Sequence, residues 1–163
     1  MSYWPYGTTA DIGISVFASS PESLISQAVE GMQAILLSKD GSVAITKLPW
    51  HHSTWNLSSS NQWDRDLVMV LEEVLFRCEV HEEWVVDLQI VKVGSSDDNL
   101  PYLACQVAWI DSAEIEREVE IKAVTRHDLR FIELKHGEEC VSQYPEVPVV
   151  QGPGWIADVV FDI

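Results

Sequence analysis

The order of hydrophobic periodicities predicts an α+β fold, with two helices packed on a mostly antiparallel β-sheet in a single domain over residues 1–163. Three observations carry this expectation. Two stretches of helical period stand in the first half of the chain. From Glu83 onward the pattern is strand-like almost to the last residue. No internal repeat and no abrupt shift of composition divides the chain.

Residues 11–18 read as a strand, with Ile12, Ile14 and Val16 on one face by period-two spacing. Gly13 inside it points to a bulge or a close backbone approach. Ser20-Pro21 then supplies an N-cap followed by proline at the first helical position. The predicted helix runs to about Leu37, with Leu24, Ile25, Ala28, Val29, Met32, Ile35 and Leu36 forming one apolar stripe. Asp40-Gly41 closes it with turn chemistry. Residues 42–49 alternate and predict a strand. Residues 50–61, rich in Ser, His and Trp, fit either a loop or a second strand. His51 and His52 are adjacent, so on a strand they point apart and read as surface residues and not as metal ligands.

A second helix follows, capped by Asn61 or Asp64. Leu67, Val68, Leu71, Val74, Leu75 and Cys78 form its buried face, and Arg65, Asp66, Glu72, Glu73 and Arg77 its polar positions. Residues 84–93 and 102–110, joined by a turn-rich connector, predict a hairpin. Residues 116–124 alternate charge with apolar side chains and predict a strand with one wet face. Residues 129–134 predict a short strand, residues 136–154 a mobile Gly-, Glu- and Pro-rich loop, and residues 155–163 a closing strand.

The composition sets limits on function. Apolar residues at 47% suit an ordinary globular core, and a chain of 163 residues can bury roughly 70% of its unfolded surface. The formal net charge of −16 argues against general nucleic-acid binding, which draws on Lys and Arg to neutralise phosphates. It favours cations or a basic protein partner. Cys78, Cys105 and Cys140 are odd in number and far apart, so they predict reduced thiols and a cytoplasmic protein. The N-terminal residues carry no signal-peptide pattern, and no apolar run approaches the ~20 residues of a membrane helix. No phosphate-binding loop, nucleophile elbow, zinc-protease or dinucleotide motif is present.

Three features remain as candidate chemistry. Asp11 stands on an otherwise apolar strand and needs donors or a metal. Asp162 lies beside the α-carboxylate of Ile163. Brought together, these three carboxylates would repel unless a hard divalent cation with a preference for oxygen ligands joined them. The third feature is Lys122, with Thr125 and His127 following. By themselves the residues leave plainer readings open, with Asp162 a solvated chain end, Asp11 a turn cap, Lys122 a snorkelling side chain and His127 a turn residue.

Several motifs, taken in order, resemble the archease family. They are Thr9-Ala-Asp-Ile-Gly-Ile14, the helix start Ser20-Pro-Glu-Ser23, the segment Asp64–Phe76, Ile121-Lys-Ala-Val-Thr-Arg-His-Asp-Leu129, and the final Val159-Val-Phe-Asp-Ile163. The resemblance implies an archease-type fold. It also implies an accessory protein, not an enzyme, that promotes guanylylation and multiple turnover of an RtcB-type RNA ligase in tRNA splicing or RNA repair. GTP and tRNA would be met only through the ligase. The resemblance implies a metal site formed by Asp11, Asp162 and Ile163, with calcium as the expected ion and magnesium or manganese as alternatives. It places Lys122 in ligase activation, with Arg126 and His127 beside it. The family's His before Thr-Ala-Asp is Thr8 here, and its Tyr before His127 is Arg126. The competing classes are a metal-dependent hydrolase or nuclease using the same acids, and a chaperone-like scaffold with a structural metal.

Overall fold

A computed structural model describes residues 2–163, with the side chain of Lys92 outside that description. The chain runs β1 (Tyr3–Gly7), β2 (Asp11–Ala18), α1 (Pro21–Leu36), α2 (Lys39–Ile45), β3 (His51–Ser58), α3 (Trp63–His81), β4 (Glu83–Ser95), β5 (Pro101–Asp111), β6 (Ala123–Val124), β7 (Arg130–Leu134), β8 (Glu139–Cys140), β9 (Val150–Gln151) and β10 (Gly154–Asp162). One sheet has the order β1-β2-β10-β6, and β7 also pairs with β10. A second has the order β3-β5-β4, and β8 and β9 form a small ladder. Every strand pairing is antiparallel. The α+β class therefore stands, with three α-helices among the described residues instead of two.

β10 is the centre of the first sheet because β2 pairs with one of its edges and β6 and β7 with the other, and its odd and even residues face different environments. Val159 and Phe161 are fully buried beside Ile14 and Val16 of β2 and the stripe Leu24, Ile25, Ala28 and Met32 of α1. Each such Val, Leu, Ile, Met or Phe side chain, wholly withdrawn from water, contributes roughly 1.5–3 kcal/mol of transfer free energy. Helix α3 adds Leu67, Val68, Leu71 and Val74, and the second sheet adds Trp84, Leu103, Cys105 and Ile110 to the same core. On the opposite face, Leu134, Cys140, Val150 and Ile156 form a smaller cluster with Trp4 and Phe17. Residues 136–154, expected to be a mobile loop, are tied to that face by the β8–β9 ladder and by Tyr144 stacked on Tyr6 at 4.0 Å. Gly13 makes the stack possible, since a Cβ there would lie 2.2 Å from the Tyr6 ring. The close approach read from sequence is thus a tyrosine seated on the strand.

Several local expectations are corrected. Residues 42–49 are not a strand. Ser38 accepts from Gly41 N at 3.0 Å and caps α2, so capping chemistry overrides the alternation. Residues 116–122 lie outside any strand, apart from an isolated bridge between Leu37 and Arg117, and only Ala123–Val124 pair with β10. Neither Asn61 nor Asp64 caps α3, because Gln62 holds the cap position without a side-chain bond. The donors of that entry turn go to Asp66, a residue expected on the polar face but only 2% exposed. Its carboxylate accepts from Ser59 Oγ at 2.6 Å, Ser60 N at 2.7 Å and Ser60 Oγ at 2.8 Å. Residues 51–58 are a strand, and His51 and His52 are both exposed, His51 stacking on Trp109. Glu73 pairs with Arg77 one helical turn on, as an ordinary helix-surface pair. Tyr3–Gly7, not assigned from sequence, form edge strand β1, where Pro5 is tolerated.

Candidate metal centre at the β2–β10 strand ends

Asp11 opens β2 and Asp162 closes β10. The antiparallel register sets the two directly opposite each other. Cross-strand neighbours of this kind hold their Cβ atoms about 4.5–5.5 Å apart and point to the same face. Asp11 is half-buried and Asp162 exposed. The turn before Asp11 is fixed by Thr8, whose Oγ1 accepts from Asp11 N and donates to Asp11 O, each at 3.1 Å. Thr8 N donates to the same carbonyl at 3.0 Å. Thr8 therefore sets the backbone that presents Asp11.

The segment around Lys122 is stitched to the other edge of β10. Lys122 N donates to Asp162 O at 2.8 Å, and its Nζ donates to Ile163 O at 3.1 Å. Thr125 donates to Val160 O through both N and Oγ1, each at 2.9 Å. Asp11, Asp162, Ile163 and Lys122 therefore meet at one end of the strand pair. Arg126 and His127 do not join them. They stand on the exposed turn between β6 and β7, where His127 Nε2 lies 3.2 Å from Asp128 Oδ2.

Among the described residues, no three side chains of the His, Cys, Asp and Glu type converge as a metal site. Two aspartates stand opposite each other here, and any further oxygen comes from the main chain at Ile163. An all-oxygen donor set of this kind suits Ca²⁺, Mg²⁺ or Mn²⁺ over softer metals. Two aspartates with one lysine ammonium nearby carry a net negative charge, which a divalent cation would neutralise.

The same sheet face carries residues that sequence reading missed. Asp158 lies two alternations before Asp162 and pairs with Arg130, which bonds it from Nε at 2.6 Å and Nη2 at 2.5 Å. Arg130 Nη1 also reaches Cys140 Sγ at 3.2 Å. Asp128, Leu129, Arg130, Asp158, Tyr6 and Tyr144 help line a cavity of about 500 Å³. Burial first, and then the Asp158 carboxylate, push the Tyr6 phenol well above its usual range, so it stays protonated as a donor. Period-two spacing from Asp162 was the signal that could have found Asp158.

Together the fold and the site define an α+β protein whose strand ends present paired acids beside a lysine. The archease protein family (MTH1598/TM1083) matches residues 3–163, and the chain belongs to that family. It is 29% identical over 133 residues to "Probable protein archease" of Mycobacterium tuberculosis, from strains CDC 1551 / Oshkosh and ATCC 25618 / H37Rv. That match covers 81% of this chain and 68% of the relative. The fold is similar to the solution structure of Methanobacterium thermoautotrophicum protein 1598, with a TM-score of 0.59, 20% identity and 99% of each chain covered. Among the described residues, no helix is long and apolar enough to cross a membrane.

Proposed function

We propose that this protein is a cytoplasmic accessory factor of an RtcB-type RNA ligase. It promotes guanylylation of the ligase from GTP and so sustains repeated turnover in tRNA splicing or RNA repair. The observation that carries this reading is the pairing of Asp162 with Asp11 beside Lys122 Nζ on Ile163 O. In this reading Asp11, Asp162 and the main-chain oxygen of Ile163 hold a divalent cation, calcium first among the candidates. The ion, when bound, supplies positive charge and open coordination positions for an oxygen ligand of the partner. Lys122 orients the Ile163 main-chain oxygen and offers further N–H donors. Arg126 and His127, on the neighbouring turn, form a flank for the ligase. GTP and RNA are met through the ligase, in keeping with a net charge of −16.

The test is RNA ligation under multiple-turnover conditions with a cognate ligase. Stimulation by the wild type and its loss with Asp11→Asn or Lys122→Ala is the expected result. An unstimulated ligase, or full stimulation by both variants, would overturn the assignment. RNA cleavage by this protein alone would instead favour the hydrolase class.

A further inference from the structure

At the far end of β2 from Asp11 lies a second cavity, of about 370 Å³. It is enclosed by α1, α2 and the edge strand β4. Tyr3, paired with Val16, stands on its wall, five residues and so about 17 Å along the strand from Asp11. Its lining includes Glu30, Gln33, Trp50, Trp84 and Asp87 and, among the described residues, no Lys, Arg or His.

Gln33 is the informative residue. It is only 7% exposed, and its Nε2 donates to Val85 O at 2.8 Å across to β4. That bond fixes the amide's orientation, because the carbonyl of Val85 can only accept. The other end, Oε1, is buried and has no donor among the described residues. A buried acceptor left without a donor is costly, so the site favours a ligand that brings one. β4 also has a bulge here, with its register jumping from Val85 to Asp87, which places Val86 outside the ladder on the cavity wall.

The surrounding charge selects the ligand. Glu30 and Asp87 are exposed carboxylates, and nothing cationic among the lining residues would hold a phosphate or carboxylate. Trp50 is half-exposed and, with its Nε1 committed to Ile45 O at 3.3 Å, presents a ring to the cavity. Trp faces favour cations. Burial, and then the Glu30 charge, raise the Tyr3 phenol's pKa, in line with a negative field on this side.

We propose that this cavity binds an organic cation bearing N–H donors, an amidinium, guanidinium or primary ammonium group, with Gln33 Oε1 as acceptor, Glu30 and Asp87 as counter-charges and Trp50 as the stacking surface. The cation comes either from a free small molecule or from an arginine side chain of a partner. The site is separate from the paired acids of β2 and β10 and does not rest on the ligase reading.

The experiment is a titration followed by two-dimensional ¹H–¹⁵N NMR. Benzamidinium and benzoate are the probes, alike in shape and opposite in charge. Benzamidinium is expected to shift the Trp50 indole and Gln33 side-chain resonances saturably, and benzoate is not. The double variant Glu30→Gln with Asp87→Asn changes only exposed residues and is expected to weaken benzamidinium roughly tenfold. Equal binding of benzoate, shifts that map elsewhere, or an unaffected double variant would overturn the proposal. A capped Gly-Arg-Gly peptide sorts the sources. Binding of the peptide at the same resonances supports a partner's arginine, and binding of benzamidinium alone supports a small molecule. Binding of neither overturns the site.

Discussion

Asp66 and the Asp11–Asp162 pair solve the same electrostatic problem in opposite ways. Asp66 is buried, and the turn between β3 and α3 brings three donors to its carboxylate. Asp11 and Asp162 are register partners at an open strand end, and among the described residues no hydrogen bond or ion pair reaches either side chain. A buried carboxylate must be satisfied within the chain or the fold loses stability. A carboxylate at an open strand end can leave its lone pairs for something outside the chain. The contrast separates an acid that holds a turn from acids available to a ligand, and it is drawn by donors and burial instead of by residue type.

The sharpest way to break that contrast is to measure calcium. Asp11→Asn or Asp162→Asn is expected to reduce Ca²⁺ affinity by about 100-fold or more, equivalent to about 2.7 kcal/mol, by isothermal titration. Each should change the metal-free folding stability by no more than about 0.5 kcal/mol. A variant that instead unfolds the protein while binding Ca²⁺ normally would make these acids structural, as Asp66 is.

Cys105 tests a third solution, in which a buried group without donors stays neutral. Desolvation pushes its thiol pKa up to about 11 from 9.0. The folded pKa lies above the unfolded one, so the contribution is intact below about pH 9 and is lost as pH rises towards 11. Roughly 2–3 kcal/mol of stability should disappear across that window, and Cys105→Ala should flatten the profile in urea titrations. Asp66→Ala comes next, at about 2 kcal/mol of destabilisation with Ca²⁺ binding unchanged. Lys122→Ala is expected to have the smallest effect on stability, under about 0.5 kcal/mol by thermal melting, because its ammonium is exposed. Under the proposed ligase reading, its consequence is expected in ligase stimulation.

The long amphipathic helices and the hairpin were legible in the sequence because each is dictated by local period. The stripes of α1 and α3 and the alternation of β10 follow from residues within one or two turns of each other. Period failed where a cap or a distant partner decided the outcome. Ser38 turned an alternating stretch into α2. Residues 116–122 carry strand alternation, yet ladder pairing with β10 begins only at Ala123. The acids Asp11 and Asp162 were visible as oddities on apolar strands, and the family motifs tied them to Lys122. Asp158 and Arg130 went unseen because their partner lies 28 residues away.

By itself, then, the sequence determined the class of fold, the two buried helix stripes and the family, since these rest on local periodicity and ordered motifs. Only the tertiary structure decided which acids are satisfied and which are left open. That depends on register, which sets Asp162 opposite Asp11, and on the turn that folds Ser59 and Ser60 over Asp66. The donors available to a carboxylate come from whichever backbone lies beside it, and period alone does not specify that neighbour.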